Sequence, residues 1–183
     1  MKNFIKSILN KWALILLITI SFSSLADDRI MQNSIDWIVK HSDLEYNDEQ
    51  LPVVKRVSNQ ELALRYYDLD PQMPEQDIPR KVQNLELYGL YDFHSNTLYL
   101  PQDKPVWSWP YRYIIVHEMV HFLQQVNGKF DGRSCVSTLE PEAYEIMGRW
   151  QDYHNHDSPR ANAFIVHIMA NACSEYQYQN LDK

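Results

Sequence analysis

The hydrophobic pattern of the chain predicts a succession of short helices with one β-hairpin among them. Apolar residues recur at helical spacing in "RIMQNSIDWIVK", residues 29–40, which predicts a first helix. Ser58 followed by Glu61 forms a capping-box pattern, so a short helix is expected over about residues 60–67. Three prolines between residues 71 and 79 interrupt helix and strand alike, and a loop is predicted there.

Alternation of large apolar residues around a turn predicts the hairpin. Two runs rich in Tyr, Leu and Phe flank "HSN", residues 94–96, which places strands near residues 85–93 and 97–100. Leu98 and Leu100 are then expected to face the core. The second strand either covers the helix that follows or lies at the edge of a cleft, where an extended peptide could pair with it.

The second half of the chain is predicted to be helical. "YIIVHEMVHFLQ", residues 113–124, lies between Ser108 and Pro110, which suit a helix start, and Asn127-Gly128, which suits a stop. Pro141 is expected to open the next helix, and a last helix is predicted after Ser158-Pro159. The predicted fold class is α+β, mostly helical, with a small hairpin or sheet packed beside the helix at 113–124.

The first 26 residues have the layout of a secretory signal peptide. Three lysines precede a short apolar core at residues 12–20, and "SLA", residues 24–26, offers small residues for cleavage. The alternative is an uncleaved membrane anchor, but the core falls short of the roughly 20 residues that span a bilayer. We expect an exported bacterial protein, periplasmic or secreted, with residues 27–183 as a single domain and no stable membrane span after cleavage.

The negative net charge of the chain indicates which partners it is not expected to bind. The chain has 183 residues and a net charge of −7, and removal of the three signal lysines makes it more acidic still. An acidic chain repels phosphates, so nucleic acid is not an expected partner. The sequence does not indicate an oligomeric state.

Two cysteines, Cys135 and Cys173, lie in the expected mature part. Export places them in an oxidising compartment, where an even pair usually forms a disulfide. We predict one bond between them. The alternative is two buried free thiols.

The main chemical signal is "HEMVH", residues 117–121, inside the apolar helix. His117 and His121 are four residues apart, so they share one helix face and can bind the same ion. Glu118 follows the first histidine, where it can serve as a general base. This is the H-E-x-x-H pattern of zinc peptidases.

A catalytic zinc site usually has three protein ligands, so a third must come from elsewhere. "LEPEAYEIMGRW" supplies Glu140, Glu142 and Glu145. Glu140 lies before the helix that Pro141 is expected to open, so it would be held less firmly. Glu142 and Glu145 are therefore the stronger candidates for the third ligand. The remaining candidates are His154, His156 and His167.

The residues "HEMVH" and a downstream helix containing Glu-Ala resemble the gluzincin group of zincin metallopeptidases. The resemblance implies Glu142, which Ala143 follows, as the third ligand. The group's supporting Asp corresponds to Ile146, so Glu145 is the candidate for that role. "NTLYLP", "HEMVHFLQ", a Cys and "EPEAY" are also similar to a family of small exported bacterial zincin-like proteins, over roughly residues 88–150.

The resemblance implies a zincin-like fold with one Zn²⁺ per chain and a zinc-dependent hydrolase of the cell envelope. Its substrate would be a peptide or protein, with a peptidoglycan peptide as a sub-case, and water activated by Glu118 would attack an amide carbonyl. Tyr144 and His154 are candidate transition-state donors, with His156 and Arg149 as further ones. The alternative is a catalytically weak or inactive zincin-like protein that binds metal and a partner protein.

Aromatic residues crowd the approach to the motif helix. They either line a substrate cleft or pack as core and rim: Trp107, Trp109, Tyr111 and Tyr113.

Overall fold

The computed structural model describes residues 27–72, 74–130 and 136–156. The fold is α+β, as predicted. A helix over residues 27–41 (α1) is followed by strand β1 (Val53–Val57), helix α2 (Asn59–Tyr66), the short helix α3 (Arg80–Gln83) and strands β2 (Leu90–Asp92) and β3 (Thr97–Pro101). Helices α4 (Arg112–Val126) and α5 (Glu140–Tyr153) complete the described part.

The first two predicted helices are present. In α1, the helical spacing of Met31, Ile35 and Ile38 buries all three side chains completely. At the start of α2, the Ser58 hydroxyl accepts a hydrogen bond from the Glu61 amide at 3.1 Å, which confirms the predicted cap. The proline-rich segment was predicted as a loop but contains a short helical turn. Glu75–Asp77 forms a 3₁₀ turn, and α3 begins directly after Pro79.

The sheet has three strands in the order β1-β3-β2. Strands β2 and β3 pair antiparallel as the predicted hairpin, with Tyr91 opposite Leu98. Strand β1 pairs parallel to β3, with Val54 opposite Leu98, and was not predicted. Since β3 lies between β1 and β2, it has no free edge to pair with a peptide, and the alternative of a cleft-edge strand is wrong.

Both faces of β3 are covered. Leu98 and Leu100 are fully buried in the main core with the apolar residues of α1 and α4, as predicted. Tyr99 points to the opposite face and packs with Val57 and Leu62 of the α2 side. The sheet therefore lies between the core of α2 and that of α4, and α5 packs against α4.

The ends of α4 and α5 set the positions of the chemical groups. Trp109–Tyr111 forms a 3₁₀ turn before α4, and Ser108 makes no side-chain capping bond there. The predicted stop is confirmed, since α4 ends at Val126 and Gly128 adopts a positive φ of 68°. Helix α5 starts at Glu140, one residue before Pro141.

No helix in the described ranges is long and apolar enough to cross a bilayer. The predicted signal peptide, the last predicted helix with His167, and the predicted Cys135–Cys173 disulfide lie outside the described residues.

Candidate metal centre

Helix α4 carries polar side chains on two of its faces although most of it is buried. The spacing of four places His117 and His121 one turn apart, and Gln124 follows on the same side. Glu118 and Gln125 lie on another side, seven residues apart, and reach the hairpin. One polar face therefore meets α5 and the other meets β2.

The first of these faces forms a compact group with Glu140 of α5. The two Nε2 atoms of His117 and His121 lie 3.1 Å apart. Glu140 Oε2 is 3.3 Å from His117 Nε2, and Glu140 Oε1 is 3.4 Å from His121 Nε2. The side chains of His117, His121 and Glu140 are only 12%, 5% and 14% exposed, so little solvent separates them.

This group could bind a metal ion. Ligand atoms held at roughly 2.0–2.1 Å by a tetrahedral ion stand about 3.3 Å from one another, close to the three distances here. Glu140 Oε2 is buried and has no hydrogen-bond partner among the described residues. Two imidazole nitrogens and a buried carboxylate converge at ligand spacing, and a cation between them would offset the cost of burying that charge, so the residues fit a metal.

The electrostatics of the group favour a cation. Burial alone would raise the pKa of the Glu140 carboxyl, but His117 and His121 outweigh it and hold that pKa well below its usual range. Burial alone would lower the pKa of His121, but the Glu140 carboxylate raises it. Converging nitrogen and carboxylate atoms thus attract positive charge to the space they enclose.

Glu118 lies on the other polar face of α4, where it contacts the β2–β3 hairpin. Its Oε2 accepts a hydrogen bond from the Tyr91 amide at 2.8 Å. The side chain is 6% exposed, and burial raises its pKa although His117 and His121 oppose the shift. A buried carboxylate with a raised pKa, beside a cation-attracting group, is suited to accept and release a proton.

Gly89 adjoins this carboxylate. A Cβ built on Gly89 would stand 2.7 Å from Glu118 Oε1 and 2.9 Å from Glu118 Cγ. Any larger residue here would force the Glu118 side chain or the backbone at Gly89 to shift. Sequence reasoning missed this position, because "YGLY" gives no sign of what lies across from the glycine.

The structure differs from the expected third ligand. Glu142 does not face the histidines, but accepts hydrogen bonds from Lys129 Nζ at 2.7 and 2.9 Å and from Gln124 Nε2 at 3.0 Å. Because α5 starts at Glu140 rather than Pro141, Glu140 is firmly part of the helix. Two residues turn a helix by about 200°, so Glu140 and Glu142 point apart.

Glu145 does not take the supporting role either. Its side chain is 70% exposed and lies 3.9 Å from Arg149. The group that holds a motif histidine is instead Gln124, whose Oε1 is 2.8 Å from His121 Nδ1. The sequence feature that could have indicated this contact is a glutamine on the buried face of a helix, three residues after a histidine.

Of the candidate donors, Tyr144 is at the site. Its ring centroid lies 4.5 Å from that of His117, one turn along α5 from Glu140. Burial, together with the charges of Glu140 and Glu118, raises the pKa of Tyr144 to about 12. The phenol therefore keeps its proton, as a hydrogen-bond donor must.

His154 and the other two candidate donors lie elsewhere. His154 follows the end of α5, about 20 Å along the helix axis from Glu140, and packs against Trp109 and Trp150. His156 contacts the same aromatic cluster, and Arg149 donates to His41 O. The structure therefore does not bring them to the metal centre.

The aromatic residues around the start of α4 mainly pack against other side chains. Trp107, Tyr111 and Tyr113 are half-buried against the main core, whereas Trp109 is 46% exposed. Tyr88 and Tyr111 stack with ring centroids 6.2 Å apart.

No protein-family model, curated protein or solved structure matches this chain.

Proposed function

We propose that the protein is a zinc-dependent hydrolase with a zincin-like fold, and that His117, His121 and Glu140 hold one zinc ion. The observation that carries the proposal is the group of two imidazole nitrogens and a carboxylate at 3.1–3.4 Å. Two histidines and one glutamate are a ligand set of catalytic zinc, which leaves a fourth position for water or substrate. Other transition metals accept the same ligands.

When bound, zinc supplies a Lewis acid that polarises a carbonyl and lowers the pKa of water to about 7. Glu118 takes a proton from the attacking water and returns it to the leaving group. Its buried position and raised pKa suit both steps. The Tyr91 amide orients Glu118, and the Tyr144 phenol, whose ring packs on His117, is the donor that we propose for a developing oxyanion.

An amide of a peptide or protein is the substrate that we propose, with peptidoglycan peptides included. This follows from the motif and from the predicted export to the cell envelope. The helix that carries the motif lies beside a small sheet and a second helix supplies the carboxylate, which supports a zincin-like arrangement.

Metal content tests the ligand set. Protein expressed from the full sequence is loaded with zinc, dialysed and assayed for metal, beside Glu140→Gln, Glu142→Gln and Glu145→Gln. We expect one zinc per chain in the wild type and in the exposed control Glu145→Gln, and loss in Glu140→Gln. Zinc retained in Glu140→Gln but lost in Glu142→Gln would show that Glu142, and not Glu140, is the third ligand.

Turnover separates the hydrolase from the alternative, a metal-binding protein that engages a partner. Glu118→Gln should keep its zinc and lose about 10²–10⁴-fold in rate on a library of internally quenched peptides, since it removes the general base. Equal rates in Glu118→Gln and wild type, at equal zinc content, would refute the hydrolase and favour the binding protein.

A further inference from the structure

Gln124 is completely buried and makes three hydrogen bonds that together fix which way its amide points. Its Nε2 is 2.9 Å from Leu139 O and 3.0 Å from Glu142 Oε2. Its Oε1 is 2.8 Å from His121 Nδ1. The side chain is 0% exposed, so water cannot substitute for these partners.

The two partners of Nε2 accept only. A backbone carbonyl has no proton to donate, and both Glu142 carboxyl oxygens accept hydrogen bonds from Lys129 Nζ, at 2.7 and 2.9 Å. The end of the amide facing them must therefore be the NH₂ group. The opposite end is the oxygen, which also accepts only.

His121 Nδ1 must then carry a proton and donate it to Gln124 Oε1. A neutral imidazole has one protonated nitrogen, so the lone pair lies on Nε2, the atom that faces His117 and Glu140. The hydrogen bond of one ring nitrogen thus determines the atom available to a metal.

We propose that Gln124 is a positioning residue that sets the Nδ1–H tautomer of His121 for metal binding, and that Glu142 and Lys129 hold Gln124 in place. Glu142 joins Lys129 Nζ at 2.7 Å to Gln124 Nε2 at 3.0 Å. Glu142, predicted as a metal ligand, thus acts on His121 through Gln124, two hydrogen bonds away. This proposal rests on the proposed metal site, but its first test requires no metal.

The first test is the tautomer of His121 in metal-free wild-type protein, read from long-range ¹⁵N–¹H NMR at a pH where the ring is neutral. We expect protonated Nδ1, and its loss as the dominant form in Gln124→Leu. A wild-type ring protonated on Nε2 would overturn the proposal without any variant. So would an unchanged tautomer in folded Gln124→Leu.

The second test is zinc affinity. Removal of a partner that orients a metal-binding histidine typically weakens binding by about 10–100-fold, and we expect this range for Gln124→Leu. The matched control is Gln125→Leu, the same change one residue on, where the amide bonds Phe93 O instead. Equal weakening in both variants would overturn the positioning role.

Glu142→Ala keeps the test available if Gln124→Leu does not fold. It removes one of the two acceptors that hold the amide, and we expect zinc affinity to fall while one zinc per chain still binds at saturation. Unchanged affinity would count against the proposal. Wild-type protein with protonated Nδ1 but no zinc binding would refute the metal site and leave the Gln124 contact standing.

Discussion

At the scale of single residues, the register of one helix decides which carboxylate meets the histidines. The sequence predicted His117, Glu118 and His121 as a group because their spacing within one helix is fixed by helix geometry. The third partner depends on where a separate helix begins. Helix α5 starts at Glu140, and each residue of shift turns a side chain by about 100°, so no local pattern could choose reliably between Glu140 and Glu142.

Gly89→Ala is expected to impair the proposed base without removing the metal. The new Cβ would stand 2.7 Å from Glu118 Oε1, so the carboxylate or the backbone at Gly89 must move. We expect lower turnover at unchanged zinc content, measured on the peptide library. The control is Gly148→Ala in α5, where a Cβ has no heavy atom within 4 Å. Equal activity in Gly89→Ala and wild type would contradict the expectation.

Tyr144→Phe tests whether the Tyr144 hydroxyl donates a hydrogen bond to the oxyanion. It removes one hydroxyl beside the metal centre while the ring can still pack on His117. Loss of one oxyanion donor costs about 10²–10³-fold in kcat, and we expect that loss with zinc content preserved. A variant that turns over as fast as wild type would assign Tyr144 to packing alone.

At the scale of elements, locally encoded features were predictable and distant pairings were not. The hairpin and the cap of α2 each depend on a few neighbouring residues, and both are present. Strand β1 was missed because its partner is β3, far along the chain. Without that strand, the sequence also could not show that β3 is central rather than at an edge.

Ser58→Ala is expected to destabilise the α2 side of the sheet. Its hydroxyl accepts the Glu61 amide, and loss of such a cap typically costs about 1 kcal/mol. Urea unfolding followed by circular dichroism should show a lower midpoint with an unchanged slope. An unchanged midpoint would mean that water caps the helix equally well.

At the scale of the whole molecule, metal binding and folding stability should be coupled. The ligands come from two helices that pack together, so zinc binds the folded chain better than the unfolded one. Zinc at 100 times its Kd would add about 2.7 kcal/mol to the free energy of unfolding. For a chain of this size that corresponds to a rise in Tm of roughly 5–10 °C.

Differential scanning calorimetry with and without zinc checks this coupling. We expect the rise in wild type and in Glu145→Gln, and none in Glu140→Gln. A rise of the same size in Glu140→Gln would show that the ion stabilises the fold from another site.

The parallel pairing of β1 with β3 has a consequence for the order of folding. The β2–β3 hairpin closes a short turn, whereas joining Val53 to Thr97 closes a loop that contains α2, α3 and β2. Long loops cost more entropy before any contact forms, so β1 is expected to dock late. The residues of the metal centre and its supports all follow β1 in the chain. A partly folded protein could therefore bring His117, His121 and Glu140 together before its third strand joins, and native-state hydrogen exchange should find the β1 amides opening first.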